Sequence, residues 1–214
     1  MGNLNETPSA NRLHIGIYGK TNSGKSSLIN AVTKQEVSIV ADVAGTTTDP
    51  VYKPMEIHPL GPCVIIDTAG FDDDSELGER RVEKTHLAAE KTDIAVVVLD
   101  IAEVIAAKKA GVPFKKAFKD EAEWSLLFAK KHTPVVFALN KIDEILLSAE
   151  AQEKSSGKLD NAAIEAAKCW VYEENSAVMG KNADNSFEVV AVSALKGKGM
   201  DAVISALTRL LPED

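Results

Sequence analysis

Several things are scarce in this chain. It has two cysteines in 214 residues, Cys63 and Cys169, far apart and with no C-x-x-C pair. That excludes a disulfide framework and suits buried thiols in a reducing cytosol. No apolar run approaches a membrane span, and residues 1–12 carry no apolar core for export, so a cytoplasmic protein is expected. Positive charge is also short. Lys and Arg total 24 against 32 Asp and Glu, for a net charge of −8. Phosphate backbones want clustered Lys and Arg, so nucleic acid is not the expected main partner. What remains is 45% hydrophobic, enough for one large domain with a real core.

The stretch that organises the chain is Gly19-Lys20-Thr21-Asn22-Ser23-Gly24-Lys25-Ser26. It fits the phosphate-loop pattern G-x-x-x-x-G-K-[ST] without a mismatch. An alternating run from Leu13 to Tyr18 precedes it, as a strand would. The run from Ser27 to Val32 follows it and suits a helix. Gly19 and Gly24 permit backbone conformations closed to other residues, so N–H groups converge on phosphate oxygens. The first helical turn adds unsatisfied donors and a positive dipole end. Lys25 is placed to reach the β- and γ-phosphates, and the Ser26 hydroxyl suits Mg²⁺. Lys20, Thr21, Asn22, Ser23 and Ser27 complete the set of expected nucleotide-binding positions here.

Residues 1–11 read as a flexible leader, and residues 12–214 as one domain. Gly45 and Pro50 bound a loop containing Thr46, Thr47 and Thr48, one of which is placed to give Mg²⁺ a second hydroxyl. Residues 51–58 and 61–67 read as an antiparallel strand pair. The second strand ends in Asp67-Thr68-Ala69-Gly70. An acid at that strand end sits beside the phosphate loop, where it can hold Mg²⁺ through water. An acidic loop, a charged helix over 77–92 and a buried strand over 94–100 follow. Residues 101–132 read as helix, loop, helix. Their lysines at 108, 109, 115, 116, 119, 130 and 131 read most simply as a solvated face, with a partner-docking patch as the minority reading.

A further strand delivers Asn140-Lys141-Ile142-Asp143. The Asp143 carboxylate can accept from the N1–H and exocyclic amine of guanine, a donor pair that adenine does not present. Asn140 and Lys141 brace the loops around the base. Residues 144–186 are an elaboration with a helix near 161–172. The last strand, 187–192, ends in Ser193, Ala194 and Leu195, whose N–H groups can meet the guanine carbonyl. Met200, Val203, Ile204, Leu207, Leu210 and Leu211 make one helical face. Alternating strands and helices predict an α/β fold of three layers, a mainly parallel sheet with one antiparallel edge strand.

The ordered set 19–26, 45–47, 67–70, 140–143 and 193–195 resembles the five signature elements of a Ras-like GTPase of the P-loop NTPase class. Within that class it resembles the potassium-activated bacterial branch with MnmE, Era and Der. Longer runs, from Val37 to Lys53, from Met55 to Pro62 and from Leu77 to Thr85, resemble the FeFe-hydrogenase maturation GTPases (HydF). That resemblance implies a GTP-binding and GTP-hydrolysing switch for assembly of the hydrogenase di-iron cluster, with other maturation proteins and the hydrogenase as partners. The alternative is a MnmE/Era/Der-like role in tRNA modification or ribosome assembly. The hydrogenase family also has dimerisation and iron–sulfur domains. The chain stops just after the last helix expected of the GTPase domain, so an isolated domain with no iron–sulfur cluster is expected.

The resemblance also implies roles. Mg²⁺ falls to Ser26, Thr47 and Asp67. K⁺ falls to Asn22, beside the phosphates. Lys25, Asn22, Thr47, Gly70 and Glu79 form the implied catalytic set, and a paired G-domain homodimer is one arrangement. Phe71 stands where some Ras-like enzymes place the Gln that orients the attacking water, and Phe has no group for that task. Glu79 is one candidate for it; Asp72, Asp73, Asp74 and Glu76 are others.

Overall fold

The computed structural model describes residues 12–34, 51–68, 83, 86–145, 157–179 and 187–211. Its strands are β1 (Leu13–Tyr18), β2 (Val51–Ile57), β3 (Gly61–Asp67), β4 (Ile94–Asp100), β5 (Val135–Asn140) and β6 (Phe187–Ala191). Its helices are α1 (Lys25–Thr33), α2 (Ile101–Lys109), α3 (Phe114–Ala117), α4 (Lys119–Lys131), α5 (Gly157–Met179) and α6 (Met200–Leu210). Residues 83 and 86–90, within the helix expected over 77–92, are helical.

The strands form one sheet in the order β2-β3-β1-β4-β5-β6. β2 runs antiparallel to β3, with Val51 opposite Asp67 and Ile57 opposite Gly61. Every other pairing is parallel. Parallel neighbours need helical crossovers that cover both faces, so central strands are apolar on both sides. The run from Ile94 to Leu99 shows this. Ile94, Val96 and Val98 join one core with α1 and α6, through Leu28, Ile29, Met200, Val203 and Leu207. Ala95, Val97 and Leu99 join the other with α2 to α5.

Aromatics are only 5% of the chain, but they concentrate in this second core. Phe114 stacks on Phe118 at 5.1 Å between ring centres and meets Phe137 edge-on at 6.2 Å. Tyr18, the last residue of β1, packs against Phe128 at 5.0 Å and Trp124 at 5.8 Å. Its hydroxyl lies 2.8 Å from the Thr92 hydroxyl, which donates to Ala88 O. The residue just before the phosphate loop is thereby fixed to the C-terminal end of the helix containing residues 86–90.

The elaboration expected near 161–172 is a longer helix, with α5 running for 23 residues. Ile164, Ala167 and Val171 are buried against the second core, which is what holds the longer helix in place. Glu174 accepts from Phe114 N at 2.7 Å, and Lys108 donates to Ala166 O at 2.9 Å. The seven lysines expected on a solvated face are all exposed, and Lys108 and Lys131 each donate to a backbone carbonyl, Ala166 O and Ala89 O. On α6, Met200, Val203, Leu207 and Leu210 are buried and Ile204 is partly buried. Among the described residues no helix is long and apolar enough to cross a membrane.

Cys63 is buried on β3 and Cys169 is exposed on α5. Burial pushes the Cys63 thiol up to about 12, which suppresses the reactive thiolate at neutral pH. A maleimide at pH 7 should therefore label Cys169 in the folded chain and both cysteines only after denaturation. Rapid labelling of Cys63 in the folded chain would contradict the buried strand.

Candidate nucleotide-binding site

The C-terminal ends of the parallel strands β1, β3, β4, β5 and β6 lie along one edge of the sheet, where α/β folds bind ligands. The phosphate loop leaves β1 at Gly19, whose φ is 145°. A Cβ there would lie 2.5 Å from Val98 O on the neighbouring strand. Gly24, the residue before α1, has a φ of 98°, and a Cβ there would lie 2.1 Å from Asn140 Nδ2. Both glycines are therefore demanded twice, by conformation and by close approach. Asn22 has a φ of 64°. Asn tolerates this left-handed conformation better than most residues, so backbone alone accounts for an Asn there.

Lys25 is buried, with Nζ donating to Gly19 O at 2.5 Å and Lys20 O at 2.8 Å. It curls the loop around its own ammonium group. Ser26 and Ser27 are exposed in the first turn of α1, while Leu28 and Ile29 anchor that helix in the core. Lys20 turns the other way. Its ammonium lies 5.4 Å from the centre of the Phe118 ring and 3.5 Å from Ala117 O. The phosphate loop thus rests on the junction of α3 and α4. A cavity of about 50 Å³ lies there, lined by Lys20, Thr21, Asn22, Ser23, Asp100 and Lys141 among others.

Asp67 closes β3 opposite Ile17 of β1, next to the strand that feeds the loop. Thr68 locks this strand end: its buried hydroxyl donates to Ile17 O at 2.6 Å. Among the described residues Asp67 forms an ion pair with Lys53, at 3.9 Å. An exposed serine hydroxyl and a strand-end carboxylate are hard oxygen donors, so Ser26 and Asp67 fit Mg²⁺. Thr47, Gly70 and Glu79, with Thr46, Thr48, Phe71, Asp72, Asp73, Asp74 and Glu76, lie outside the described residues.

The base side is held by one amide. Asn140 Nδ2 donates to Ser23 O at 2.9 Å, and Asn140 Oδ1 accepts from Ala194 N at 3.0 Å. Asn140 is buried, so both bonds are shielded from water. Asp143 accepts from the Ser193 hydroxyl at 2.5 Å. Ile142 N donates to Val192 O at 3.2 Å, tying the two loops again. Three amides were expected to face a guanine carbonyl; two are already engaged. Ser193 N donates to Lys198 O at 2.9 Å, and Ala194 N is held by Asn140. The Leu195 amide is the one of the three left without a hydrogen bond among the described residues, on a residue 76% exposed.

Sequence reasoning missed Asp100. Its Oδ2 accepts from Lys141 Nζ at 2.7 Å, and its Oδ1 caps α2 by accepting from Ala102 N at 2.9 Å. The hydrogen bond that Lys141 donates to Asp100, more than the Asp100 charge, raises the Lys141 ammonium pKa above its usual value. The signal was an acid ending an apolar strand, the same pattern that marked Asp67.

The family profile for 50S ribosome-binding GTPases matches residues 14–141. The chain belongs to this GTPase family. It is a Ras-like P-loop GTPase domain of the MnmE, Era and Der type, with a six-stranded mixed sheet. GTPase Der of Mycoplasmopsis pulmonis is 54% identical over 65 residues, covering 30% of this chain and 15% of that protein. The tRNA modification GTPase MnmE of Laribacter hongkongensis is 34% identical over 132 residues, covering 61% of this chain and 26% of that protein. In structure, Aquifex aeolicus Era bound to GDP·AlF4⁻ superposes with a TM-score of 0.62 at 25% identity. That superposition covers 94% of this chain and 57% of Era. The GTPase domain here thus spans only part of the relatives it matches. None of these three is a hydrogenase maturation protein.

Asn140 makes a sharp test of the site in this GTPase. Asn140→Ala removes both amide bonds and leaves Ser23 O and Ala194 N without that partner. Two buried hydrogen bonds at about 1 to 1.5 kcal/mol each predict a loss of about 2 to 3 kcal/mol in nucleotide-free stability by urea denaturation. Unchanged stability would mean that the loops are not docked before nucleotide arrives.

Proposed function

We propose that this GTPase domain binds GTP at residues 19–26 and 140–143, hydrolyses it with Mg²⁺ and K⁺, and acts as a nucleotide-controlled switch. The observation that carries the reading is the Asn140 amide, which joins the phosphate loop to both loops of the base pocket. The γ- and β-phosphates would replace Gly19 O and Lys20 O as partners of Lys25. Asp143 keeps an acceptor oxygen for the guanine N1–H and amine, while Ser193 holds the other. The Leu195 amide would donate to the guanine carbonyl. Ser26 and Asp67 would hold Mg²⁺, with Thr47 as a third ligand; the ion supplies charge neutralisation at the phosphates. Asn22 would hold K⁺ beside them, where developing charge needs a cation. That assignment rests on the sequence resemblance, as does the assignment of water orientation to an acid such as Glu79.

Two cellular processes compete. Der, MnmE and Era are the relatives matched, which favours tRNA modification or ribosome assembly. The second reading, hydrogenase maturation, is favoured by the resemblance of the runs from Val37 to Lys53, from Met55 to Pro62 and from Leu77 to Thr85, of which residues 51–53 and 55–62 lie on the edge hairpin of β2 and β3. The net charge of −8 also fits a protein partner better than RNA. In that reading other maturation proteins and the hydrogenase are the partners.

Phosphate release from GTP by the purified chain, in KCl against NaCl at equal ionic strength with Mg²⁺, tests the chemistry. Faster release in KCl is expected, with the difference lost in Asn22→Ala and turnover lost in Lys25→Ala. Equal rates in the two salts would overturn the potassium assignment. Undiminished turnover in Lys25→Ala would overturn the phosphate-loop assignment.

A further inference from the structure

We propose that Asp100 is a positioning residue for guanine-nucleotide recognition, acting through Lys141. The inference rests on the reading that residues 140–143 face the guanine base. In the sheet register Asp100 lies directly opposite Asn140, so the ends of β4 and β5 present the acid and the base loop side by side. The carboxylate divides its two oxygens between two tasks. Oδ1 caps α2 at Ala102 N, which fixes the carboxylate in space. Oδ2 then meets Lys141 Nζ at 2.7 Å. The pair is mostly buried, with side-chain exposures of 28% for Lys141 and 16% for Asp100. It is therefore less screened than a surface ion pair.

Lys141 needs such support. Its φ is 69°, a left-handed conformation that costs an ordinary L residue free energy and persists only where the surroundings impose it. Its backbone is held by Glu144 N, which donates to Lys141 O at 3.0 Å. Its side chain is held by Asp100. Glu103 and Glu144 add weaker attraction to the same ammonium without a hydrogen bond. A free lysine side chain loses rotamer freedom when a ligand orders it, and Asp100 imposes that order in advance. The ordered stem borders the cavity that Lys20, Thr21, Asn22 and Ser23 also line, so it is set against the nucleotide loop before binding. Asp100 thus links the α2 cap to the base loop and borders the cavity that the phosphate loop lines.

The test is a double-mutant cycle read by calorimetric titration of GDP into the nucleotide-free chain. Asp100→Asn keeps an oxygen to cap Ala102 N but loses the charge-assisted bond to Lys141, so the nucleotide-free chain should stay folded with a melting temperature lowered by only a few degrees. The GDP dissociation constant should rise about tenfold, the effect of one charge-assisted hydrogen bond. In a Lys141→Met background the same Asp100→Asn change should alter it by less than about twofold, because the partner is already gone. Wild-type GDP affinity in Asp100→Asn would overturn the proposal. So would an undiminished tenfold loss in the Lys141→Met background, which would mark a role independent of Lys141. Asp143→Asn separates failure of the proposal from failure of the base-loop reading. An amide there matches xanthine, which carries a carbonyl in place of the guanine amine, so preference should pass from GDP to XDP. A switch in Asp143→Asn together with no loss in Asp100→Asn would sink the Asp100 proposal alone. Unchanged GDP preference in Asp143→Asn would sink the base-loop reading, and the proposal with it.

Discussion

One buried amide sets the geometry on which the rest of the site depends. Asn140 reaches back to Ser23 O and sideways to Ala194 N, and no other side chain among the described residues joins those three loops. The consequences propagate. Because Nδ2 comes so close, residue 24 has no room for a Cβ, and glycine is required there irrespective of its φ. Because Ala194 N is engaged, the guanine carbonyl would fall to the Leu195 amide in the proposed site. Because Asn140 ends β5 opposite Asp100, the same register sets the Lys141 ion pair. A site assembled this way is docked before its ligand arrives, which spares part of the ordering cost of binding.

The two faces of the sheet contribute differently. One carries α1 and α6 over an aliphatic core, which fixes the helix whose first turn presents Ser26 and Ser27. The other carries the aromatic core beneath the phosphate loop, and Lys20 leans onto it through Phe118. Tyr18 belongs to that core and touches Thr92, so the strand leading to the loop and the helix after the D-x-x-G stretch share a support. A shift in α3 or α4 would reach the phosphate loop directly.

Much of the fold was legible because its signals are local. Apolar runs ending in Asp67 and Asn140, two glycines at loop-forming spacing and a single apolar face on α6 each state their element outright. The antiparallel β2–β3 edge followed from its short link. Residues 157–179 were read too short, because a helix that buries only one side against a distant core shows its period in fragments. Asp100 was missed for a related reason. Its partner is 41 positions away in sequence, and only the parallel register brings the two together. The exposed amide of Leu195 was legible as one of three equals; which of the three stays open depends on Asn140, a tertiary fact.

The central claim is that residues 19–26 and 140–143 form one guanine-nucleotide site. Calorimetric titration of the purified chain with GDP and with ADP, both with Mg²⁺, tests it most directly. The account predicts one GDP per chain and no measurable ADP binding under the same conditions. Equal affinity for the two nucleotides, or a second GDP of equal affinity, would contradict it.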